Sequence, residues 1–519
     1  MDRHTFTDAV GAPHELAAQA GLEILAAGGN AVDAAIAANA VQGVVAPETC
    51  GIGGDLFALV WRPGLAEPLT LNASGPAGSN ARIEELAGES DIPLAHPLSV
   101  TVPGCVAGWE ALAAECGRMP LADLLAPAIR LATDGFPASA EMATAFSRRE
   151  SQLGTQASAS DIYEEGTAPI EGQLVRRRML AQTLTELTDG GARAFYQGPA
   201  GRAIVEAVGG RITPDDLASY RPDWVTPLQL DVFGRTGWTI PPNSQGYLTL
   251  AATAIFEQLD APADPVDPEY VHLLIESYRS VAGGRDQLVS DPSTAASTAE
   301  LLGEDLLADL RRDIDRSRAG RWPAPARQVE GTAYLCAVDR DGIGISLMQS
   351  NFHGIGSGIG AGAAGFFLHN RGAGFTLEPG HRNVLAPGRR PLHTLAPTLW
   401  TRDGGLELIL GTRGGHQQPQ LLAQVAAHVF HCGLTPGAAQ EVPRWTTRAT
   451  APHTTSTIAV ENRMPAATVE ALRQGGHEVT KGGAYEGGWG PVSMIHVLPS
   501  GLRVAAADPR VATAAAAVR

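Results

Sequence analysis

Between Arg316 and Glu330 the chain changes character, and no other feature constrains its fold as strongly. This stretch, Arg-Ser-Arg-Ala-Gly-Arg-Trp-Pro-Ala-Pro-Ala-Arg-Gln-Val-Glu, has no hydrophobic period and reads as an exposed linker. Helical patterns dominate before it. Leu16, Ala20, Ile24 and Leu25 share one face and stop at Gly28-Gly29, and Asn30 then caps an alanine-rich helix through Val41. Further helices are expected at 106–115, 121–133, 178–188, 199–207, 267–282 and 299–314, with a glycine turn, Cys50–Asp55, feeding a strand over Leu56–Trp61. Beyond the linker, strands at Ala333–Val338 and Ile343–Gln349 flank the hairpin turn Asp339-Arg-Asp-Gly342. Strands at 364–368 and 406–410 and a helix near 418–431 follow. Such an order implies a layered α+β protein.

Composition narrows the function classes. The 519 residues carry a formal net charge of -17 without a basic cluster, which excludes nucleic acid and anionic membranes as natural partners. An apolar fraction of 44% is that of a chain with a large core. No run reaches the ~18–20 apolar residues needed to span a bilayer, and no secretory signal opens the chain. The five cysteines are scattered without CxxC spacing, so neither a disulfide framework nor a structural zinc site is expected. These features point to a soluble, cytoplasmic protein.

Three segments could carry chemistry. Gly331-Thr332 stands where the linker meets the hairpin. If the bond before Thr332 were cut, its hydroxyl would become a nucleophile with its own α-amine as the base. On the residues alone the same pair is also an ordinary strand start. Gly354–Gly362, with glycine at every second position, superficially resembles the GxGxxG of a dinucleotide loop, but it lies between strands rather than before a helix, so such a loop is not expected. In Gly411-Thr-Arg-Gly-Gly-His-Gln-Gln418, paired glycines at a helix entry suit an oxyanion hole, or simply a strand-to-helix turn. The fourteen histidines include no HExxH, and His393 and His416 are isolated, so no metal site and no cofactor are expected.

Taken in order, these segments resemble the gamma-glutamyltranspeptidase family. The matching text is Gly28-Gly-Asn-Ala-Val-Asp-Ala-Ala35, Gly51-Ile-Gly-Gly54, Val102-Pro-Gly-Cys-Val-Ala-Gly108, Ile212-Thr-Pro-Asp-Asp-Leu-Ala-Ser-Tyr220 and Pro241-Pro-Asn-Ser-Gln-Gly246. Past the linker come Thr332, Gly356-Ser-Gly358, Arg390-Pro-Leu-His-Thr-Leu-Ala-Pro397, Gly414-Gly415 and Asp508-Pro-Arg510. The resemblance implies a four-layer αββα sandwich of the N-terminal-nucleophile hydrolase type, made as a proenzyme that cuts itself before Thr332. The products would be a large subunit, residues 1–331, and a small subunit, residues 332–519, together forming one catalytic sandwich. A homodimer of such heterodimers is compatible with it. Ser350 falls at the family's second active-site threonine, and Gly414 and Gly415 at its oxyanion glycines.

Departures from the family pattern bear on the substrate. The segment Leu71–Ala77 lacks the family's carboxylate-binding arginine, and His393-Thr394 stands at its serine pair. Arg371 and Gly374 replace the glutamine and aspartate that hold the substrate's ammonium, and a guanidinium there repels a cation. The run 369–375 is closer to the cytoplasmic, transpeptidase-like branch. The expected reaction is therefore cleavage of a small amide with an anionic acyl group, with water or an amine as acceptor. Arg371, His393, Thr394, Arg413 and His416 are the candidate substrate-binding residues. A true glutathione hydrolase and a non-processing binding protein are the alternatives.

Overall fold

A computed structural model describes residues 1–321, 331–448 and 457–519. The Asn30 cap forms as a reciprocal box. Asn30 Oδ1 accepts from the backbone N–H groups of Val32 and Asp33 at 2.9 and 3.0 Å, and Asp33 Oδ2 accepts from Asn30 N at 2.9 Å. The helix it starts, Ala31–Val45, is buried at every position. Alanine and glycine let neighbouring backbones approach it from all sides, which is why a helix so poor in large side chains can occupy the centre of a layer.

The hairpin lies directly beneath that helix. Ala333–Val338 and Gly344–Ser350 pair antiparallel, with Ala333 opposite Gln349. At the turn, Asp339 Oδ1 accepts from Asp341 N and Ile343 N, both at 3.0 Å, while Oδ2 accepts from Ala31 N at 3.0 Å. One carboxylate thus closes the turn and holds it against the helix start.

Around the hairpin, a seven-stranded sheet runs in the order 515–518, 9–12, 333–338, 344–350, 55–61, 69–73, 223–225. A second runs 2–5, 503–506, 492–497, 405–412, 398–402, 235–239, 228–232. Both draw strands from before and after Thr332. Phe57, Trp61, Trp238, Tyr334, Met348, Leu399, Ile409 and Ile495 form one apolar cluster between the sheets. Helices Glu15–Ala26, Ala31–Val45 and Cys105–Cys116 cover the outer face of the first sheet, with Leu121–Asp134 and Arg178–Gln197 packed against them, and Tyr247–Glu257 and Gln418–Phe430 cover that of the second, with Pro268–Ala282 packed on them. The architecture is a four-layer αββα sandwich. Among the described residues no helix is long and apolar enough to cross a membrane.

Three expectations need correction. Residues 364–368 form no strand: Gly362–Ala364 is a 3-10 turn and Phe367 makes a single bridge to Gly360. Phe366 and Phe367 instead pack on Phe195 and Phe146, with ring centroids at 5.5 and 6.2 Å. The helix expected over 299–314 is two, Thr298–Leu302 and Glu304–Arg312, separated at the extended Gly303. Of the linker, 322–330 lies outside the described residues, and 316–321 is tied down: Arg316 holds Glu269 Oε1 at 2.6 Å and Ala319 N donates to Gly475 O at 2.8 Å.

Candidate active site

The hairpin register places Thr332 opposite Ser350, one step beyond the pairing of Ala333 with Gln349. Ser350 is paired in turn with Asp55 on the next strand. Both hydroxyls are buried, Thr332 being 2% exposed. Ser350 Oγ lies 2.5 Å from the carbonyl oxygen of Gly331 and 3.2 Å from Thr332 Oγ1, and it accepts from Phe352 N at 2.8 Å. A hydroxyl has one hydrogen. Ser350 gives its hydrogen to the Gly331 carbonyl, so it receives that of Thr332.

Two glycines make this approach possible. Gly331 has φ +125°, and a Cβ on it would stand 2.3 Å from Gly354 N. A Cβ on Gly54 would stand 2.3 Å from the carbonyl oxygen of Ser350. A side chain at either position drives backbone atoms apart.

Gly331 and Gly414 line the same cavity of about 620 Å³, together with Glu48, Glu141 and Arg413. Gly414 and Gly415 precede helix Gln418–Phe430, where backbone N–H groups have no carbonyl one turn back. Gln245 Nε2 orients the segment by donating to the carbonyl oxygens of Gly415 and Thr394, both at 3.0 Å. Arg413 grips Glu141 with both terminal nitrogens, at 2.8 and 3.0 Å. Burial pushes the Glu48 carboxyl up to about 8, so this wall of the cavity holds a largely protonated acid at neutral pH.

A second cavity, of about 730 Å³, is lined by Phe352, His353, Gly374 and His416. His416 Nδ1 accepts from Arg285 Nη1 at 2.5 Å. Arg371 is fully buried behind this cavity rather than on its wall. Its guanidinium stacks 3.9 Å from the Phe352 ring centroid and donates to Thr394 Oγ1 at 3.2 Å. Burial lowers its pKa to about 9. Nε and Nη2 have no hydrogen-bond partner among the described residues.

A buried carboxylate stands beside Arg371. Asp55 Oδ2 stands 3.7 Å from Arg371 Nε, 3.3 Å from His369 Nδ1 and 3.0 Å from His393 Nε2. Burial alone would raise the Asp55 pKa, but His369 and His393 outweigh it and hold the group well below the usual carboxylate range. His393 is pushed down to about 3, by burial first and by Arg371 second. Its Nε2–H donates to Asp55 and its Nδ1 accepts from Leu395 N at 3.2 Å, so both ring nitrogens are occupied within the fold.

The candidates thus divide by location. Arg413 and Gly414 line the first cavity beside Gly331, His416 lines the second, and Thr332, Ser350, Arg371, His393, Thr394 and Gly415 are buried. Sequence reasoning missed Asp55, Gln245 and Glu48. Asp55 ends the Gly51–Gly54 turn and was within reach as the one charged residue entering an otherwise apolar strand.

The profile of the gamma-glutamyltranspeptidase family matches residues 17–518. A Bacillus subtilis protein named glutathione hydrolase-like YwrD proenzyme is 35% identical, with 96% of each chain covered. The oxamate amidohydrolase proenzyme of Klebsiella pneumoniae is also 35% identical, with 97% of each chain covered. Among solved structures, a cephalosporin acylase from Bacillus halodurans superposes with a TM-score of 0.91 at 33% identity, over 100% of this chain and 96% of that one.

Proposed function

The chain belongs to the gamma-glutamyltranspeptidase family of N-terminal-nucleophile hydrolases and acyltransferases, and from that membership we propose a self-processing threonine amidohydrolase acting on a small amide with an anionic acyl group. The observation that carries the proposal is Ser350 Oγ bridging Thr332 Oγ1 and the Gly331 carbonyl at 3.2 and 2.5 Å. In processing, Thr332 Oγ attacks the Gly331 carbonyl carbon. The bond to the Thr332 nitrogen breaks and an ester forms, and water hydrolyses it to leave a Gly331 carboxylate and a free Thr332 amine. That amine, with a pKa of about 7.7–8.0, then takes the hydroxyl proton as Thr332 attacks substrate and returns it to the departing amine. The N–H groups of Gly414 and Gly415 receive the developing oxyanion. Water, or an amine in acyl transfer, releases the acyl group.

The anionic acyl group is supported by Arg371. Its Nε and Nη2 are buried donors without a hydrogen-bond partner among the described residues, the carboxylate of Asp55 being an ion-pair neighbour beyond hydrogen-bond range at 3.7 Å. Asp55 therefore offsets part of the charge without occupying those donors. The 35% identical relative named for oxamate acts, by that name, on a small anionic amide. A reducing, cytoplasmic setting is supported by five free cysteines, four of them buried.

The test has two stages. On a denaturing gel the purified gene product should resolve into two bands, the smaller beginning Thr-Ala-Tyr-Leu. The processed enzyme is then assayed with oxamate and with a γ-glutamyl anilide. A wide margin in kcat/KM for the γ-glutamyl compound replaces the anionic-acyl reading with a glutathione hydrolase.

A further inference from the structure

Far from that site, one group of side chains has the makings of a metal centre. Among the described residues, His272, Glu276 and His477 bring one ligand atom each to within 4.8 Å of one another, and all three are buried. His272 and Glu276 are four residues apart on helix Pro268–Ala282 and so share a face. His477 comes from the turn between helix Ala466–Gln474 and strand Glu478–Gly482.

The surroundings set the chemistry of each ligand. His272 Nε2 faces the carbonyl oxygen of Asp315 at 2.8 Å, which can only accept. The proton of this imidazole is therefore on Nε2, and Nδ1 presents its lone pair to His477 Nε2, 2.8 Å away. A backbone carbonyl behind a histidine is the arrangement that orients metal-bound imidazoles. Glu276 Oε2 accepts from Arg279 Nε at 2.6 Å and Gly320 N at 3.0 Å, whereas Oε1 has no hydrogen-bond partner among the described residues although the side chain is wholly buried. A buried carboxylate oxygen left without a hydrogen-bond donor beside two buried imidazoles is a costly arrangement without a cation.

We propose that His272 Nδ1, His477 Nε2 and Glu276 Oε1 bind a zinc ion. Two histidines and one carboxylate are a zinc ligand set, with a water completing the tetrahedron. Bonds of about 2.0–2.1 Å at tetrahedral angles separate two ligand nitrogens by about 3.3 Å. The two imidazoles therefore need to part by only about half an ångström. Coordination displaces the His477 Nε2 proton to solvent, and that nitrogen gives its lone pair to the ion. Arg279 stays on Glu276 Oε2 and opposes the added charge, which favours a single metal with a bound hydroxide or water over a second cation.

The position gives the ion a structural role that rests on the processing proposed above. His272 and Glu276 lie in residues 1–331, and His477 lies in 332–519. The same ligands hold Asp315 and Gly320, at the end of the described chain before the cleavage point. Zinc would clasp the two fragments and anchor the new C-terminal stretch of the larger one.

The binding claim is tested on full-length Thr332→Ala protein, which keeps the chain whole, so a failure of processing does not affect it. After chelator treatment and dialysis, Zn2+ is titrated against a chromophoric competitor. One ion per chain is expected, with affinity falling roughly 100-fold in His477→Ala and at least tenfold in Glu276→Gln, and unchanged in the surface control His4→Ala. Co2+ should give the visible bands of a tetrahedral site in the unmutated ligand set, a readout independent of whether the variants fold. No stoichiometric Zn2+ binding by the parent protein overturns the proposal, as does binding that survives both ligand substitutions.

Discussion

Ser350 hands its hydroxyl hydrogen to the carbonyl oxygen of Gly331 across 2.5 Å, on the very peptide that precedes Thr332. A hydrogen bond to that oxygen makes its carbon more electrophilic and stabilises the negative charge that attack would place there. The hairpin register aligns the pair, so it is built in as soon as the two strands zip.

Replacing Ser350 by alanine should therefore slow self-cleavage by about 100-fold, the usual effect of losing one oxyanion donor, while Ser350→Thr keeps the hydroxyl and most of the rate. A gel time course on freshly purified protein measures both. Equal rates for the alanine variant and the parent would remove Ser350 from the mechanism.

Thr332→Ala should abolish both processing and turnover, because one hydroxyl performs both attacks. Thr332→Ser should retain some of each, having lost only the rotamer restriction of the β-branch. Undiminished activity in the alanine variant would move the nucleophile elsewhere.

Gly331→Ala is expected to be damaging for a different reason. The φ of +125° and the 2.3 Å approach to Gly354 N leave no room for a methyl group. Backbone in such a region costs about 1–3 kcal/mol for a non-glycine residue. The variant should melt at a lower temperature and process slowly even with Thr332 intact. An unchanged melting temperature and cleavage rate would show that the local backbone yields.

Arg371→Gln should lower kcat/KM for oxamate or a dicarboxylate monoamide and leave self-cleavage nearly unchanged, since Arg371 touches Thr394 and Phe352 but neither Gly331 nor Thr332. Processing is scored by gel and turnover by product release on the same preparation. Parallel loss of both would indicate that Arg371 only supports the fold.

Glu48 carries a pH dependence. Its folded pKa, raised to about 8 by burial, exceeds the ordinary value near 4.5. The folded state thus holds a proton that the unfolded state releases between those limits. The stability tied to that proton is complete below pH 4.5, falls by up to ~1.4 kcal/mol per pH unit, and is gone above about pH 8. Glu48→Gln removes the effect. The melting temperature of the variant relative to the parent should climb from pH 5 to pH 8, and a constant difference across that range would contradict the assignment.

Much of the scaffold was legible in local chemistry. Asn30 reads as a cap because its side chain can satisfy the first helical N–H groups, and Asp339-Arg-Asp-Gly342 as a turn because aspartate and glycine close one. What failed depended on neighbours distant in sequence. Phe366 and Phe367 look like a strand, yet Phe195 and Phe146 offer their rings more apolar contact than a sheet edge would. The site divided along the same line. Thr332 and the paired glycines each carry a local signal and Ser350 came only with the family resemblance, whereas Asp55, His369, Arg371 and His393 meet only because strands from opposite ends of the chain lie side by side.

That interleaving also governs what a cut before Thr332 does to the molecule. Strand 9–12 is held between 333–338 and 515–518, and 55–61 lies against 344–350, so the proposed break severs no ladder. The processed protein should elute and migrate as an undivided particle under native conditions. Expressed alone, residues 1–331 would expose the long edge of 55–61, an apolar strand stripped of its partner and prone to aggregate. Synthesis as a single polypeptide is then a chaperoning device: each half supplies the surface on which the other can fold.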